Sequence, residues 1–323
     1  MNNLKSIFIT LGLLTAPFAQ AVIPASSPEP KAQVAGYYHY NFGVKQVTAL
    51  LDGTNYLSPS LFKGLTEQES DAILKKYHSL DHRGVQTSVN AFLVNTGTSL
   101  VLIDTGASSC FGDHLGSVAK NLQEAGFETS QVSLVLLTHL HPDHVCGISK
   151  DGEAVFPNAW VYASETEADY WLNPKQLAKI PKEKQDKYLA TVKKIKDAIA
   201  PYEKNKGFKT FKAGEQLGAL TALESAGHTP GHVGFRLKGL MQDMIFIGDI
   251  VHSHSLQFDQ PETGVDFDID PEQAIQTRLK HFAEYAKEGH TIAAPHLPFP
   301  GIGYIYSKDE KSYQWIPVHF QDR

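Results

Sequence analysis

Three histidines and one aspartate fall within the run Thr138-His139-Leu140-His141-Pro142-Asp143-His144. An apolar stretch, residues 132–137, precedes the run, so its side chains are expected on a loop that leaves a buried strand. Because side chains alternate along an extended segment, His139 and His141 point the same way. Asp143 and His144 follow the turn at Pro142 and can reach a second metal beside the first. The run therefore predicts the ligand set of a two-metal hydrolase.

Further candidate ligands follow later strands of the predicted fold. The turn-rich segment Gly227-His228-Thr229-Pro230-Gly231-His232 comes directly after one predicted strand, and Gly248-Asp249 follows the apolar residues 244–247. His296 follows the strand-like residues 291–294. Each of these side chains sits where the chain leaves a sheet, so we expect them at the same edge as the first run.

The elements that must position these ligands can be predicted from periodicity and turn residues. A hairpin is predicted from residues 45–51 and 55–57 across Asp52-Gly53. Other predicted strands are residues 89–94, 99–104, 160–163, 220–225, 233–237 and 244–248. Predicted helices are residues 114–125, 165–172 and a last helix framed by Asp270, Pro271 and Gly289. This order indicates an α/β (α+β) protein in which two sheets pack face to face with helices outside, a four-layer αββα sandwich.

The complete ligand series, T-H-x-H-x-D-H, then G-H-T-P-G-H, then G-D, then a late histidine, resembles that of the metallo-β-lactamase superfamily. The segments beginning at Phe156, at Ala168 and especially at His296 (H-L-P-F-P-G-I-G) resemble the methyl parathion hydrolase branch, which also contains lactonases. The resemblance implies that His139, His141 and His228 hold one metal ion, that Asp143, His144 and His296 hold the other, and that Asp249 bridges them.

Two divalent ions are therefore expected, with Zn²⁺ preferred because neutral imidazoles and carboxylates are good zinc ligands. The set contains no thiolate, so Mn²⁺, Co²⁺ and Fe²⁺ remain open. A bridging hydroxide would attack the substrate, with Asp249 and Asp143 as the catalytic carboxylates. The resemblance also places Asp104 and Thr138 beside the ligands, where Asp104 can orient a ligand imidazole.

The same resemblance puts three aromatic residues at the mouth of the site, namely Phe111, Trp171 and Tyr188. An alternative remains open, in which Trp171 and Tyr188 only pack a helical insertion. His252 and His254 either line the pocket or do not, and His232 is expected to pack rather than to bind metal. The remaining histidines are expected to be solvated or hydrogen-bonded, and these are His39, His78, His82, His114, His281, His290 and His319.

Composition narrows the class of protein. The chain has 323 residues, is 42% hydrophobic and 20% charged, and carries a formal net charge of −6, which fits one large globular domain. The resemblance implies that this domain, residues 37–323, is a metallo-β-lactamase-like hydrolase domain. Its lysines concentrate in residues 182–196, where acidic residues are interspersed, so this stretch is interpreted as a solvated face. A nucleic-acid partner is not expected, because phosphate binding needs clustered basic residues.

The N-terminus carries a targeting signal. Lys5 precedes an apolar stretch, residues 7–16, and Ala19-Gln20-Ala21 supplies the small residues that a signal peptidase reads. Residues 1–21 are predicted to be a signal peptide and residues 22–36 a flexible tail, which makes the mature protein exported, periplasmic and free of the membrane. Cys110 and Cys146 can then either form a disulfide or remain two free thiols.

The sequence thus predicts a binuclear hydrolase that acts on a small molecule. Lactones and aryl esters, including N-acyl homoserine lactones, are the preferred substrates. The alternatives are phosphotriester hydrolysis of organophosphates, β-lactam hydrolysis and a metal-binding protein without catalysis. β-Lactams rank low, because the sequence offers no evident cation for their carboxylate. The family resemblance implies a homodimer.

Overall fold

Two β-sheets and the helices that cover them account for most of the structure, which is a computed structural model describing residues 34–309 and 311–321. Within these residues the strands are β1 (Tyr37–Phe42), β2 (Lys45–Leu57), β3 (Phe62–Lys63), β4 (Leu80–Asp81), β5 (Gly84–Asn95), β6 (Leu100–Ile103), β7 (Val132–Leu136), β8 (Ser149–Lys150), β9 (Glu153–Ala154), β10 (Trp160–Ser164), β11 (Phe208–Phe211), β12 (Gln216–Leu217), β13 (Leu220–Glu224), β14 (Val233–Leu237), β15 (Met244–Phe246), β16 (Gly264–Val265), β17 (Thr291–Ala293), β18 (Ile302–Ser307) and β19 (Tyr313–Pro317). The α-helices are α1 (Glu67–Lys76), α2 (Val118–Glu124), α3 (Pro142–Val145), α4 (Glu165–Leu172), α5 (Lys182–Lys204), α6 (Leu256–Asp259) and α7 (Pro271–Glu288).

The two large sheets pack face to face, as predicted. The first has the order β1-β2-β5-β6-β7-β10-β11 with β4 paired to β5, and the second has the order β12-β13-β14-β15-β17-β18-β19. A buried apolar cluster joins their inner faces, where the ring centroids of Phe92 and Phe246 lie 5.6 Å apart. Leu122 of α2 and Ile195 of α5 pack on the outer face of the first sheet, and Phe282 of α7 packs on that of the second. The four-layer αββα arrangement is confirmed.

The predicted hairpin at Asp52-Gly53 is wrong. Strand β2 runs through both residues and pairs with β5, with an irregularity in register between Leu51 and Gly53. The Asp52 side chain is buried, and its carboxylate accepts hydrogen bonds from the backbone N–H groups of Ala107 at 2.9 Å and Val118 at 3.3 Å. This aspartate therefore marks a bulge that fastens neighbouring segments, rather than a turn.

Most other predicted elements lie within two residues of their observed bounds. Two elements differ by more at one end, since β5 begins at Gly84 instead of residue 89 and α2 begins at Val118 instead of residue 114. Gly116 has a φ of +96°, a left-handed conformation that a right-handed helix cannot contain. Helix α7 has the predicted ends, because the Asp270 side chain accepts from the Gln273 N–H at 3.0 Å and Gly289 is the C-cap.

Cys110 and Cys146 form a disulfide bond with their Cα atoms 6.4 Å apart, so the bonded alternative is the one observed. The bond joins the loop after β6 to the short turn that follows α3. The predicted signal peptide, and the predicted tail as far as residue 33, lie outside the described residues. Among the residues that are described, no helix combines the length and the apolar character needed to cross a membrane.

Candidate metal centre

Strand ends bring the predicted ligands to one place, although they are far apart in sequence. The loop after β7 carries His139 and His141, and α3 carries Asp143 and His144. The segment between β13 and β14 supplies His228. Asp249 follows β15 in a tight turn, and His296 follows β17. Gly248 has a φ of +55°, and a side chain at this position would collide with the His232 ring, so the Gly-Asp pair is needed to aim Asp249.

The ligand atoms form two main groups, and a third group of Asp249, His252 and His296 shares one residue with each of them. One ligand atom from each of His139, His141, His228 and Asp249 lies within 4.8 Å of the others, and the same is true of Asp143, His144 and His296. The carboxylate of Asp249 stands between the two groups. Its Oδ1 lies 3.2 Å from His144 Nε2, and its Oδ2 lies 3.1 Å from His296 Nε2 and 3.3 Å from His228 Nε2.

The arrangement fits divalent cations. The buried atoms His139 Nε2, His144 Nε2 and Asp249 Oδ1 have no hydrogen-bond partner among the described residues. A buried polar atom without a partner costs roughly 1–3 kcal/mol, so three such atoms converging on one spot require an occupant. The ring nitrogens His228 Nε2 and His141 Nδ1 also face each other at 2.9 Å, a geometry in which a cation can accept both lone pairs.

Asp104 and Thr138 lie where the resemblance placed them. Asp104 Oδ2 accepts from His144 Nδ1 at 2.9 Å and from the Thr138 hydroxyl at 2.9 Å. Asp104 Oδ1 accepts from the Thr138 N–H, also at 2.9 Å. This fixes the His144 ring with Nε2 directed at the centre.

Other residues that hold the ligands were missed by the sequence reasoning. Asp268 Oδ1 accepts from His228 Nδ1 at 2.8 Å, and the backbone O of Ser88 accepts from His296 Nδ1 at 2.9 Å. No local motif marks Asp268, which precedes α7 by three residues. A backbone acceptor such as Ser88 leaves no signal in the sequence.

Glu167 of α4 is a second carboxylate that was missed. It is fully buried and accepts four hydrogen bonds, two on each oxygen. Oε1 accepts from the Leu140 N–H and the Trp171 indole, and Oε2 accepts from the Thr229 hydroxyl and the Gly231 N–H. Leu140 lies between His139 and His141, and Thr229 follows His228, so Glu167 ties together the two loops that supply one ligand group.

The other histidines near the centre differ in the groups that they contact. His232 accepts from the Asp249 N–H at 2.8 Å and donates to the Ser225 backbone O at 2.8 Å, which uses both ring nitrogens in packing, as predicted. His252 Nε2 lies 3.1 Å from Asp249 Oδ2, and the residue lines the cavity over the centre. His254 lines a different cavity, beside Ser79 and Phe299. Of the two undecided histidines, only His252 belongs to the site.

The pKa values of the histidines at the centre shift in both directions. Burial opposes protonation of His144 and His296, but Asp249 and the other nearby carboxylates raise the pKa of both rings. Burial and the neighbouring imidazoles hold the pKa of His139 and of His141 well below the usual value, which leaves their lone pairs available. Burial alone would raise the pKa of Asp249, but the surrounding histidines hold it well below its usual range. For His228 burial opposes protonation, while Asp249 and Asp268 raise the pKa to about 9. A bound cation would replace that proton.

A cavity of about 430 Å³ opens above the centre. Its floor is formed by His141, Asp143, Asp249 and His296. Most of its wall is apolar and comes from separate elements, with Leu57, Leu61, Val89, Phe111 and Phe267 as the main contributors. The remaining side is a face of α5 that carries Lys187, Ala190, Thr191 and Lys194.

The three predicted pocket aromatics separate in the structure. Phe111 lines the cavity and is 42% exposed at its mouth. Trp171 and Tyr188 are buried and stack on each other at 5.4 Å, behind His141, and neither lines the cavity. The Tyr188 hydroxyl donates to the backbone O of Tyr170 at 2.6 Å, which holds α5 to α4. For these two residues the geometry matches the packing alternative.

Comparisons with known proteins agree with this geometry. The Metallo-beta-lactamase superfamily profile matches residues 84–285. The curated relatives include the uncharacterized protein YobT of Bacillus subtilis (strain 168), 29% identical over 147 residues that make up 46% of this chain and 56% of YobT. The chain spans about half the length of the curated relatives it matches.

Two solved structures align with nearly the whole fold. The crystal structure of hydrolase AbOPH, in the beta lactamase superfamily, is 62% identical with a TM-score of 0.89, covering 90% of this chain and 100% of that chain. AidC, a dizinc quorum-quenching lactonase solved with the product N-hexanoyl-L-homoserine, is 27% identical with a TM-score of 0.77, covering 89% of this chain and 99% of that chain.

Proposed function

Because this chain belongs to the metallo-β-lactamase superfamily and is a metal-dependent hydrolase, we propose that it hydrolyses lactones and aryl esters, N-acyl homoserine lactones included. The observation that carries the proposal is the largely apolar cavity directly above the converging ligands. Such a cavity can hold an acyl chain or an aryl group while the floor presents the reacting carbonyl to the centre.

The residues at and below the floor would have different roles. When bound, divalent cations polarise the substrate oxygen and lower the pKa of water. His139, His141 and His228 would hold one cation, and Asp143, His144 and His296 the other. Asp249, which lies between the two groups, would contact both. Asp143 has a side chain that is 22% exposed, so its carboxylate can accept a hydrogen bond from a water in the cavity.

Two features support lactones and esters as the substrate class. The cavity volume of about 430 Å³ is within the range of small-molecule sites, and Leu57 of β2 and Val89 of β5 give its wall aliphatic surface beside the polar Asn55 and Thr87. AidC, which shares the fold across nearly the whole chain, is a lactonase captured with an acyl homoserine product.

Phosphotriester hydrolysis is the second candidate, because the rings of Phe111 and Phe267 line the same cavity and could stack on an aryl leaving group. The zinc preference is likewise a proposal. It is supported by the N and O donors of the centre and by the dizinc centre of AidC.

The test is kcat/KM of the zinc-loaded protein for N-hexanoyl-homoserine lactone and for methyl paraoxon under identical conditions. A ratio that strongly favours the lactone supports the proposal. The reverse ratio assigns the enzyme to phosphotriesters. A protein that retains two metal ions and turns over neither substrate, nor an aryl ester, would contradict both candidates.

We also propose that the enzyme works in an oxidising compartment, and the Cys110–Cys146 disulfide supports this. Mass spectrometry of protein taken from periplasmic and cytoplasmic fractions, alkylated before lysis, tests it. Disulfide-bonded protein in the periplasmic fraction is the expected result, and reduced protein confined to the cytoplasm contradicts it.

A further inference from the structure

One side of the cavity differs from the rest in charge. Ala190 and Thr191 come three and four residues after Lys187, and Lys194 comes three residues after Thr191. These spacings place the four residues on one face of α5. All four line the cavity whose floor contains Asp249 and His296. We call this face the α5 wall. It faces a cavity that is otherwise mostly apolar, so its two ammonium groups are the cations that a substrate would meet there.

The charges of the α5 wall are not compensated by acidic partners. Among the described residues, no carboxylate forms an ion pair with Lys187 or Lys194. By contrast Lys193, the neighbour of Lys194, pairs with Asp197 at 2.6 Å and is 77% exposed. Lysine ammonium groups carry three N–H donors. Lys194 gives one of them to the backbone O of Cys110 at 2.8 Å, which leaves two available for a ligand.

The position of Lys194 is also fixed more firmly than that of an ordinary surface lysine. Its Nζ lies 4.8 Å from the centroid of the Phe111 ring, and its acceptor belongs to Cys110. The disulfide joins Cys110 to Cys146, which directly follows the helix that carries Asp143 and His144. The ammonium group is therefore hydrogen-bonded to a loop that the disulfide joins to the segment that supplies part of the floor.

We propose that Lys187 and Lys194 recognise a carboxylate on the part of the substrate farthest from the scissile bond, so that the enzyme prefers acidic esters and lactones to neutral ones of the same length. This inference rests on the proposed function. An uncompensated cation beside a low-dielectric cavity attracts an anion more strongly than it would in open water. The carboxylate would dock on the α5 wall while the apolar remainder of the substrate contacts the aliphatic wall opposite.

The test compares two substrates that differ only at one end. Mono-p-nitrophenyl glutarate and p-nitrophenyl valerate have the same leaving group and the same five-carbon acyl chain, ending in a carboxylate or a methyl group. In the Lys187→Met/Lys194→Met double variant, the ratio of kcat/KM for glutarate to that for valerate should fall about tenfold, because a hydrogen bond to a charged group contributes on that scale.

Three controls sharpen the result. Lys193→Met, on the same helix but outside the cavity, should leave the ratio unchanged. Lys187→Arg/Lys194→Arg keeps both charges and should retain the preference for the acidic ester. Added salt should reduce the ratio in the wild type and leave it unaltered in the double methionine variant.

The outcomes separate the two proposals. If the wild type hydrolyses both esters and the double methionine variant keeps the wild-type ratio, this inference is overturned, and the lysine stems serve only to cover apolar surface. If the zinc-loaded wild type hydrolyses neither these esters nor a lactone, the proposed function itself fails.

Discussion

The floor of the cavity and its walls are built in opposite ways. In the metal centre that forms and underlies the floor, His144, His228 and His296 each donate a hydrogen bond through the ring nitrogen that points away from the centre. Around the mouth, Phe111 is 42% exposed and Lys187 is exposed. The rings of the floor are therefore oriented by buried hydrogen bonds, whereas these two side chains at the mouth have much of their surface in solvent.

We expect the floor to carry out the chemistry and the walls to determine which substrates bind. Ligand geometry must be accurate to fractions of an ångström, so the floor is supported by buried carboxylates such as Asp104 and Glu167. A wall only has to accommodate a substrate, and it can change without disturbing the centre. Substitutions are therefore expected to lower activity less the farther they lie from the centre of the floor.

The largest effect is expected from Asp249→Ala. Its carboxylate lies between both ligand groups, so its removal should lower kcat/KM by more than about 100-fold, beyond the range for residues that only support ligands. Activity and metal content of the purified protein are the measurements. Asp266→Ala removes an exposed carboxylate paired only with Lys63 and should behave as the wild type. A variant that keeps both metal ions and near-normal turnover would contradict the assignment of Asp249 as the carboxylate shared by both ligand groups.

Glu167→Gln should come next, with a loss of about 10- to 100-fold in activity or metal affinity. Both carboxylate oxygens accept two hydrogen bonds, and glutamine would turn one acceptor into an NH₂ group facing the Gly231 N–H. The two ligand loops should then shift although no ligand is changed. Zinc affinity and kcat/KM measure the effect.

The matched control for this change is Glu165→Gln. Glu165 lies on the same helix, its side chain is 52% exposed, and its nearest cation is Lys212 at 4.0 Å. Normal metal affinity in Glu167→Gln would show that the floor tolerates the loss of a buried support, as the walls are expected to do.

The sequence predicted the floor of the cavity better than its walls. The floor was predicted in detail because its ligands belong to short sequence motifs. These motifs are the run from His139 to His144, the segment around His228, and Gly248-Asp249, and each follows a recognisable strand. Asp268 and Glu167 were missed, because they act on loops far from them in sequence. A single acidic residue beside an apolar stretch gives no indication of which loop it will contact.

The walls were predicted least well, since their residues come from β2, β5, α5 and three loops. Trp171 and Tyr188 were placed at the mouth by resemblance but lie behind His141. The lysines of α5 were interpreted as a solvated face, and the structure turns Lys187 and Lys194 toward the cavity. Which face of a charged helix meets a cavity depends on tertiary packing that periodicity alone cannot supply. The same limit explains Asp52-Gly53, where pairing with β5 overrides a strong turn signal.

Asp268→Asn should have a smaller effect than Glu167→Gln, about tenfold in kcat/KM. Asparagine can still accept the hydrogen bond from His228 Nδ1, so the ring keeps its orientation. The negative charge that makes the imidazole a better ligand is lost, and Asp268 Oδ2, which accepts from the Val265 N–H, is replaced by an NH₂ group. The control is Asp266→Asn, because Asp266 is a neighbouring carboxylate that is exposed. A loss as large as that of Asp249→Ala would mean that Asp268 contributes more than orientation and charge.

The smallest effect is expected from Phe111→Ala, at the mouth. Phe111 lines the wall at the mouth of the cavity and is 42% exposed. Its removal should raise KM about fivefold for an aryl ester, a loss of about 1 kcal/mol from one aromatic contact, and leave kcat and metal content near normal. Steady-state kinetics with p-nitrophenyl valerate separate the two constants. If kcat falls more than KM rises, the ring acts on the reacting carbonyl, and the boundary between floor and wall would have to be drawn above Phe111 rather than below it.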